Sequence, residues 1–219
     1  MDTSPTYVPV AEDKSRKWWP IMNESNEIKA GPKAPPDPLM AKIRLYPNPI
    51  LRKPTQLLDT RASLAPKMLL EGCLKDLLAI CDRKKCLGMA ANQMGYDLRV
   101  CVVKFPEKTP LVMVNPAIVA RGGSEQQGEG CFSAPGIGVR VHRAQWVSVR
   151  WLDRDLFPQE QRFEALEARI VQHELDHLDG LCIVDKMSPA DKISSAGALK
   201  TLYRFSRLQQ DQIAQGLKQ

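Results

Sequence analysis

Apolar residues recur along this chain at two spacings. Leu64, Met68, Leu69, Gly72, Cys73, Asp76, Leu77 and Ile80 fall at helical intervals and make one mostly apolar face, with Ser63 placed to cap it; the pattern predicts a helix running to about Lys84. No Gly or Pro interrupts from Phe163 to Asp179, and Leu166, Ile170, His173 and His177 share the helical spacing. Gly180 is a natural stop, so a second helix is predicted over Phe163–Leu178. From Pro189 a third is predicted toward Leu217, with Ile193, Leu199, Leu202, Phe205 and Leu208 as its apolar stripe and Lys200, Arg204 and Arg207 along another side.

The second spacing is that of strands. Leu98–Phe105 and Leu111–Ala120 are rich in Val and bounded by Pro and Gly. Val139–Val141 and Trp146–Trp151 alternate apolar and polar positions, as half-buried strands do. Ile43–Leu45 and Leu181–Val184 are shorter strand candidates. Pro47 and Pro49, Arg121-Gly122-Gly123-Ser124 and Asp153-Arg154-Asp155 read as turns.

Residues 1–40 break both rhythms. They are rich in Pro, Lys, Asp, Glu and Ser and end in Lys33-Ala34-Pro35-Pro36-Asp37-Pro38. The segment has no apolar core of a secretory signal, and Asp2, Glu12, Asp13, Glu24 and Glu27 are too many acids for an organellar transit peptide. A disordered or loosely docked extension is expected, with Trp18-Trp19-Pro20-Ile21-Met22 as an apolar cluster suited to anchoring on the domain or on a partner. The remainder, 41–219, is long enough for one domain with a real core. The six cysteines are scattered without a CxxC pair, which fits buried thiols in a reducing compartment better than a disulfide framework. A net charge of +6 favours an anionic partner such as RNA only weakly, and no apolar run approaches membrane-spanning length.

The chemistry is concentrated in Gln172-His173-Glu174-Leu175-Asp176-His177, which holds two of the chain's three histidines. On a helix, residues four apart share a face, so His173 and His177 can grip one metal ion. Glu174 stands beside them, close enough to handle a proton on an attacking water. A catalytic site of this kind needs a third ligand. A third histidine six residues on, as in one class of metallopeptidase, is replaced by Ile183, and no Glu follows Glu174. The residues alone leave Asp185 and Asp191 downstream, or Cys131 upstream in Gly128-Glu129-Gly130-Cys131-Phe132-Ser133.

Taken together, the motifs resemble the peptide deformylase family. Its GxGxAAxQ, EGCxS and HExDH patterns are matched in order by Cys86-Leu87-Gly88-Met89-Ala90-Ala91-Asn92-Gln93, by Glu129–Ser133 and by His173–His177. Tyr46-Pro47-Asn48-Pro49-Ile50-Leu51-Arg52 is similar to the family's N-terminal signature, and the resemblance spans about residues 41 to 188.

That resemblance implies an α+β fold, with antiparallel strands around a central helix bearing HExxH and a C-terminal helix. It implies Cys131, His173 and His177 as metal ligands and Glu174 as the proton carrier. Gln93 and the backbone N–H of Phe132 become oxyanion donors, and Leu87, Gly88, Glu129, Gly130 and Ile170 substrate contacts. Glu129 and Ser133 are also expected to hold their loop by hydrogen bonds, with Arg143 as a partner. The implied metal is iron(II), although the ligand set also suits Zn2+, Ni2+ or Co2+. The implied substrate is the formylated N-terminus of a nascent polypeptide, in the cytoplasm, or in an organelle if the extension is a targeting segment. The C-terminal helix is the implied ribosome contact, and neither DNA nor a membrane is expected as a partner.

Two positions depart from the family pattern: Cys86 stands for its first glycine and Phe132 for its usual leucine. The competing readings are an HExxH metallopeptidase using Asp185 or Asp191, and a ribosome-docked deformylase-like protein whose cleft Cys86 and Phe132 obstruct.

Overall fold

Val100, Cys101, Val102 and Val103 are all buried, and β-branched residues in such a run favour extended backbone packed on both sides. In the computed structural model, which describes residues 38–61, 64–84 and 86–216, this run is a strand of a five-stranded antiparallel sheet. The chain order is α1 (Pro38–Ala41), α2 (Leu64–Lys84), β1 (Gly88–Ala90), β2 (Val100–Val103), β3 (Leu111–Gly122), β4 (Glu125–Gly130), β5 (Gly138–Arg143), β6 (Trp146–Leu152), β7 (Pro158–Glu164), α3 (Ala165–Leu178), α4 (Pro189–Ser194) and α5 (Ala196–Gly216). The sheet order is β1-β2-β3-β6-β7, and β4 and β5 form a separate antiparallel pair. The architecture is therefore α+β with a C-terminal helix.

Helix α3 lies on this sheet. Ala168, Val171, Leu175 and Leu178 join Cys101, Val103, Met113, Val147, Val149, Trp151 and Phe163 in one buried cluster. Phe163 is 1% exposed and its ring lies 5.7 Å from that of Phe105 and 5.9 Å from that of Trp151. Burying a ring of this size contributes about 1.5–3 kcal/mol relative to leaving it exposed. Packing of this kind fixes the side of α3 that carries the histidines.

Several expectations need correction. Phe163 does not open the motif helix; it pairs with Val147 in β7, and α3 begins at Ala165. Strand β7 carries no strand signal in its sequence, because all of its residues but Phe163 are exposed and no alternation is visible. Ile43–Leu45 forms no strand. Its backbone groups go to Gln209, whose amide bonds Leu45 N–H at 3.2 Å and Ile43 C=O at 2.7 Å, and to Ser206, which donates to Leu45 C=O at 2.7 Å.

Leu181–Val184 is not a strand either. A 3-10 turn over Ile183–Lys186 follows Cys182, whose N–H donates to Asp185 at 2.8 Å. The C-terminal segment breaks at Ser195 into α4 and α5, and Ile193 and Leu208 are exposed. The buried stripe of α5 is Leu199, Leu202 and Ser206, so it includes a serine that apolar counting passes over. The Ser63 cap and the expectations for residues 1–37 lie outside the described residues. The six cysteines are free, and among the described residues no helix is long and apolar enough to cross a membrane.

Candidate active site

Three segments distant along the chain meet at the histidine-bearing face of α3. The first is α3 itself, where His173 and His177 project four residues apart with their rings edge to face at 5.0 Å. The second is the loop leaving β4. There Ala134 N–H closes on Cys131 C=O at 3.0 Å and Tyr46 N–H holds Ser133 C=O at 2.8 Å, which seats Cys131. Its Sγ lies 3.2 Å from His177 Nε2, and one ligand atom each from Cys131, His173 and His177 fall within 4.8 Å of one another. The third segment is the 3-10 turn Ala91–Met94 after β1, which carries Gln93.

Hydrogen bonds behind these residues fix which atoms face inward. His173 Nδ1 is 2.9 Å from Glu129 Oε2, leaving Nε2 for the centre. Gln93 Oε1 accepts from the Ala90 N–H at 2.9 Å, so its NH2 group faces Cys131 Sγ at 3.5 Å and Ser133 Oγ at 3.2 Å. Asn92 donates to the carbonyl of His177, tying this turn to the end of α3.

The side chain of Glu129, expected both among the substrate contacts and as a partner of Arg143, is a buried anion. Its carboxylate takes both Arg143 Nε and Nη2 at 2.9 Å and Arg169 Nη1 at 2.7 Å. Arg143 also donates to Asp176. Burial pulls the Glu129 carboxyl upward, but the hydrogen bonds from Arg143 and His173 outweigh it and hold the group well below the usual carboxylate range.

The opposite holds for Glu174. It is 4% exposed, and burial, with Cys86 and Glu129 nearby, pushes its carboxyl well above the usual value. Its Oε2 is buried with no hydrogen-bond partner among the described residues. A buried unpaired carboxyl oxygen beside two imidazoles and a thiol is what a bound cation and its water would satisfy. His177 is pushed well below its ordinary value by burial and by His173, which favours the neutral imidazole that a metal ion needs. The Cys131 thiol is raised by burial and by Cys182, a cost that a cation would reverse. The donor set therefore fits one divalent metal ion.

Of the other expected residues, Leu87 is exposed, Gly88 and Phe132 are half-buried, Gly130 is exposed at the end of β4, and Ile170 is buried on α3 one turn before His173 and Glu174. Asp185 and Asp191 are not in the cluster: Asp185 pairs with Arg52 and caps Cys182, and Asp191 caps Ser188.

Comparison with known proteins decides the family. The polypeptide deformylase family model matches residues 40–193. Peptide deformylase 2 of Xanthomonas campestris pv. campestris is 38% identical over 146 residues, covering 66% of this chain and 85% of that protein. The crystal structure of a peptide deformylase from Legionella pneumophila superposes with a TM-score of 0.66 at 35% identity, covering 76% of this chain and 95% of that one. The peptide deformylase structure from Thermus thermophilus gives 0.68 at 28% identity, covering 77% and 98%.

The chain belongs to the peptide deformylase family. As a peptide deformylase it is a metal-dependent hydrolase that removes the formyl group from the N-terminal formyl-methionine of new polypeptides. In this deformylase Cys86, standing where the family pattern has its first glycine, is buried. Sequence reasoning passed over Arg169, Asp176 and Asn92. Arg169 had a signal, since it stands four residues before His173 on the same helical face.

Proposed function

We propose that Cys131, His173 and His177 hold the deformylase's metal, with Glu174, Gln93 and the Phe132 N–H performing the proton and charge work around it. The observation that carries this is the convergence of one sulfur and two imidazoles within 4.8 Å beside a buried, unpaired Glu174 oxygen. A bound divalent ion, iron(II) by the softness of a thiolate-containing set, would supply Lewis-acid activation of water and of the formyl carbonyl.

Glu174 takes a proton from the attacking water and returns it to the leaving amine nitrogen, so that formate and a free N-terminus result. A carboxyl whose proton affinity is raised by burial suits both halves of that task. Gln93, whose Oε1 accepts from the Ala90 N–H, donates through Nε2 to the carbonyl oxygen as charge gathers there, together with the Phe132 N–H. Leu87, Gly88, Gly130, Phe132 and Ile170 line the methionine side of the cleft. Residues 41–219 act as the catalytic domain, with α3 at its centre. The exposed Lys200, Arg204 and Arg207 of α5 make it the face for ribosome contact in the cytoplasm.

Two tests follow. Anaerobically prepared, iron-loaded protein is expected to release formate from a formyl-Met peptide. Release of internal-peptide fragments without formate would favour a metallopeptidase, and no turnover at full metal loading would favour a binding protein. Gly88 is the second: a Cβ there would meet Glu174 Oε1 at 2.5 Å and its Cγ at 2.8 Å. Glu174 is enclosed and cannot swing away, so Gly88→Ala is expected to lower kcat by about 10- to 100-fold with the metal retained. Steady-state kinetics with metal analysis checks this, and an unchanged kcat would mean that the carboxyl position is not critical.

A further inference from the structure

His177 has two ring nitrogens with different neighbours. Nε2 faces the Cys131 sulfur at 3.2 Å, and Nδ1 faces the sulfur of Cys182 at 3.8 Å. The Cys182 sulfur in turn lies 3.9 Å from the carbonyl oxygen of Leu51. His177 and Cys182 are each 1% exposed, so solvent does not serve either group, and among the described residues Cys182 is the hydrogen-bond partner of Nδ1.

The backbone puts Cys182 there. After α3 the chain reverses at Gly180, at φ +77°, where a Cβ would lie 2.7 Å from the Lys53 backbone. Gly180 N–H closes on His177 C=O at 3.0 Å and Leu181 N–H on Asp176 C=O at 2.8 Å. The residue five beyond His177 thus folds back against its ring. It is locked by the bond from its own N–H to Asp185, itself paired with Arg52.

A neutral imidazole that binds a metal through Nε2 carries its proton on Nδ1, and that proton needs an acceptor to fix the ring. For His173 the group behind the ring is a carboxylate; for His177 it is a thiol. We propose that Cys182 is a positioning residue of the metal centre, accepting from His177 Nδ1–H and donating its own S–H to Leu51 C=O. The role rests on the metal-site reading above. It makes retention of the ion depend on a buried sulfur that does not touch it.

The test uses the full chain loaded with Co2+, whose absorption bands report thiolate coordination, and follows its loss to excess chelator. Cys182→Ala and Cys182→Val remove the acceptor, the second while filling the space, and are expected to release Co2+ about tenfold faster than the native chain. Cys182→Ser keeps a hydroxyl acceptor and is expected within about threefold of native. Turnover per bound ion is recorded in parallel. Should Ala fail to fold, the Ser and Val pair decides alone. Release from Ser as fast as from Val would reduce Cys182 to a packing role. Equal release from every variant, with native deformylation intact, would remove the proposal and leave the deformylase reading standing. A native chain that takes up no Co2+ overturns both.

Discussion

Glu174→Ala is expected to bind its metal ion as the native chain does and to deformylate about 1,000-fold more slowly or worse, in the upper part of the range for removing a positioned acid–base group. The two halves of the result come from two facts. The proposed ligand atoms belong to Cys131, His173 and His177, so none is lost. Glu174 is buried with one oxygen unpaired, and the neighbouring carboxylates are already engaged: Glu129 is committed to Arg143, Arg169 and His173, and Asp176 to Arg143 and Lys186. The variant also removes a desolvated carboxyl, so it should unfold at the same temperature as the native chain or higher. Metal analysis, formate release and a melting curve check the three parts. Loss of metal from Glu174→Ala would contradict its role as a proton carrier.

The second large effect is on stability. Arg143 is 5% exposed and bridges Glu129, also 5% exposed, to Asp176 on α3. Arg143→Met keeps most of the apolar stem but removes the cation shared by two carboxylates, leaving Glu129 to Arg169 and His173 and Asp176 to Lys186. Breaking a buried ion pair by removing one partner costs about 3–5 kcal/mol, which for a chain of this length is a fall of roughly 10 °C in Tm. Because Glu129 also backs His173, metal should bind at least about tenfold more weakly. A single variant that melts within about a degree of native would mean that solvent reaches these groups and screens them.

The elements that could be read from sequence are those whose signal is local. HExxH on an uninterrupted run puts two imidazoles on one face by geometry alone, and the buried Val run of β2 needs no tertiary partner to look like a strand. Arg143 was half legible: it shares strand parity with Val139 and Val141, which are buried, so its head had to find an anion inside.

What escaped was decided at long range. Ile43–Leu45 has strand chemistry, but Gln209 and Ser206, more than 160 residues away, claim its backbone groups. Polar β7 exists because β6 offers it an edge. Glu129 looked like a substrate contact because the motif places it near the cleft. Of the groups around it, Arg143 is the expected partner, while Arg169 and His173 come to it only in the folded chain. Cys182 carried no motif at all, and its place behind His177 depends on the turn at Gly180.

X-ray absorption at the metal edge of zinc-loaded protein tests the centre most directly. The expected spectrum has one sulfur neighbour at about 2.3 Å and imidazole nitrogens at about 2.0–2.1 Å, with the sulfur shell gone in Cys131→Ala. A native spectrum with no sulfur shell, or one that Cys131→Ala leaves unchanged, would contradict a site built from Cys131, His173 and His177.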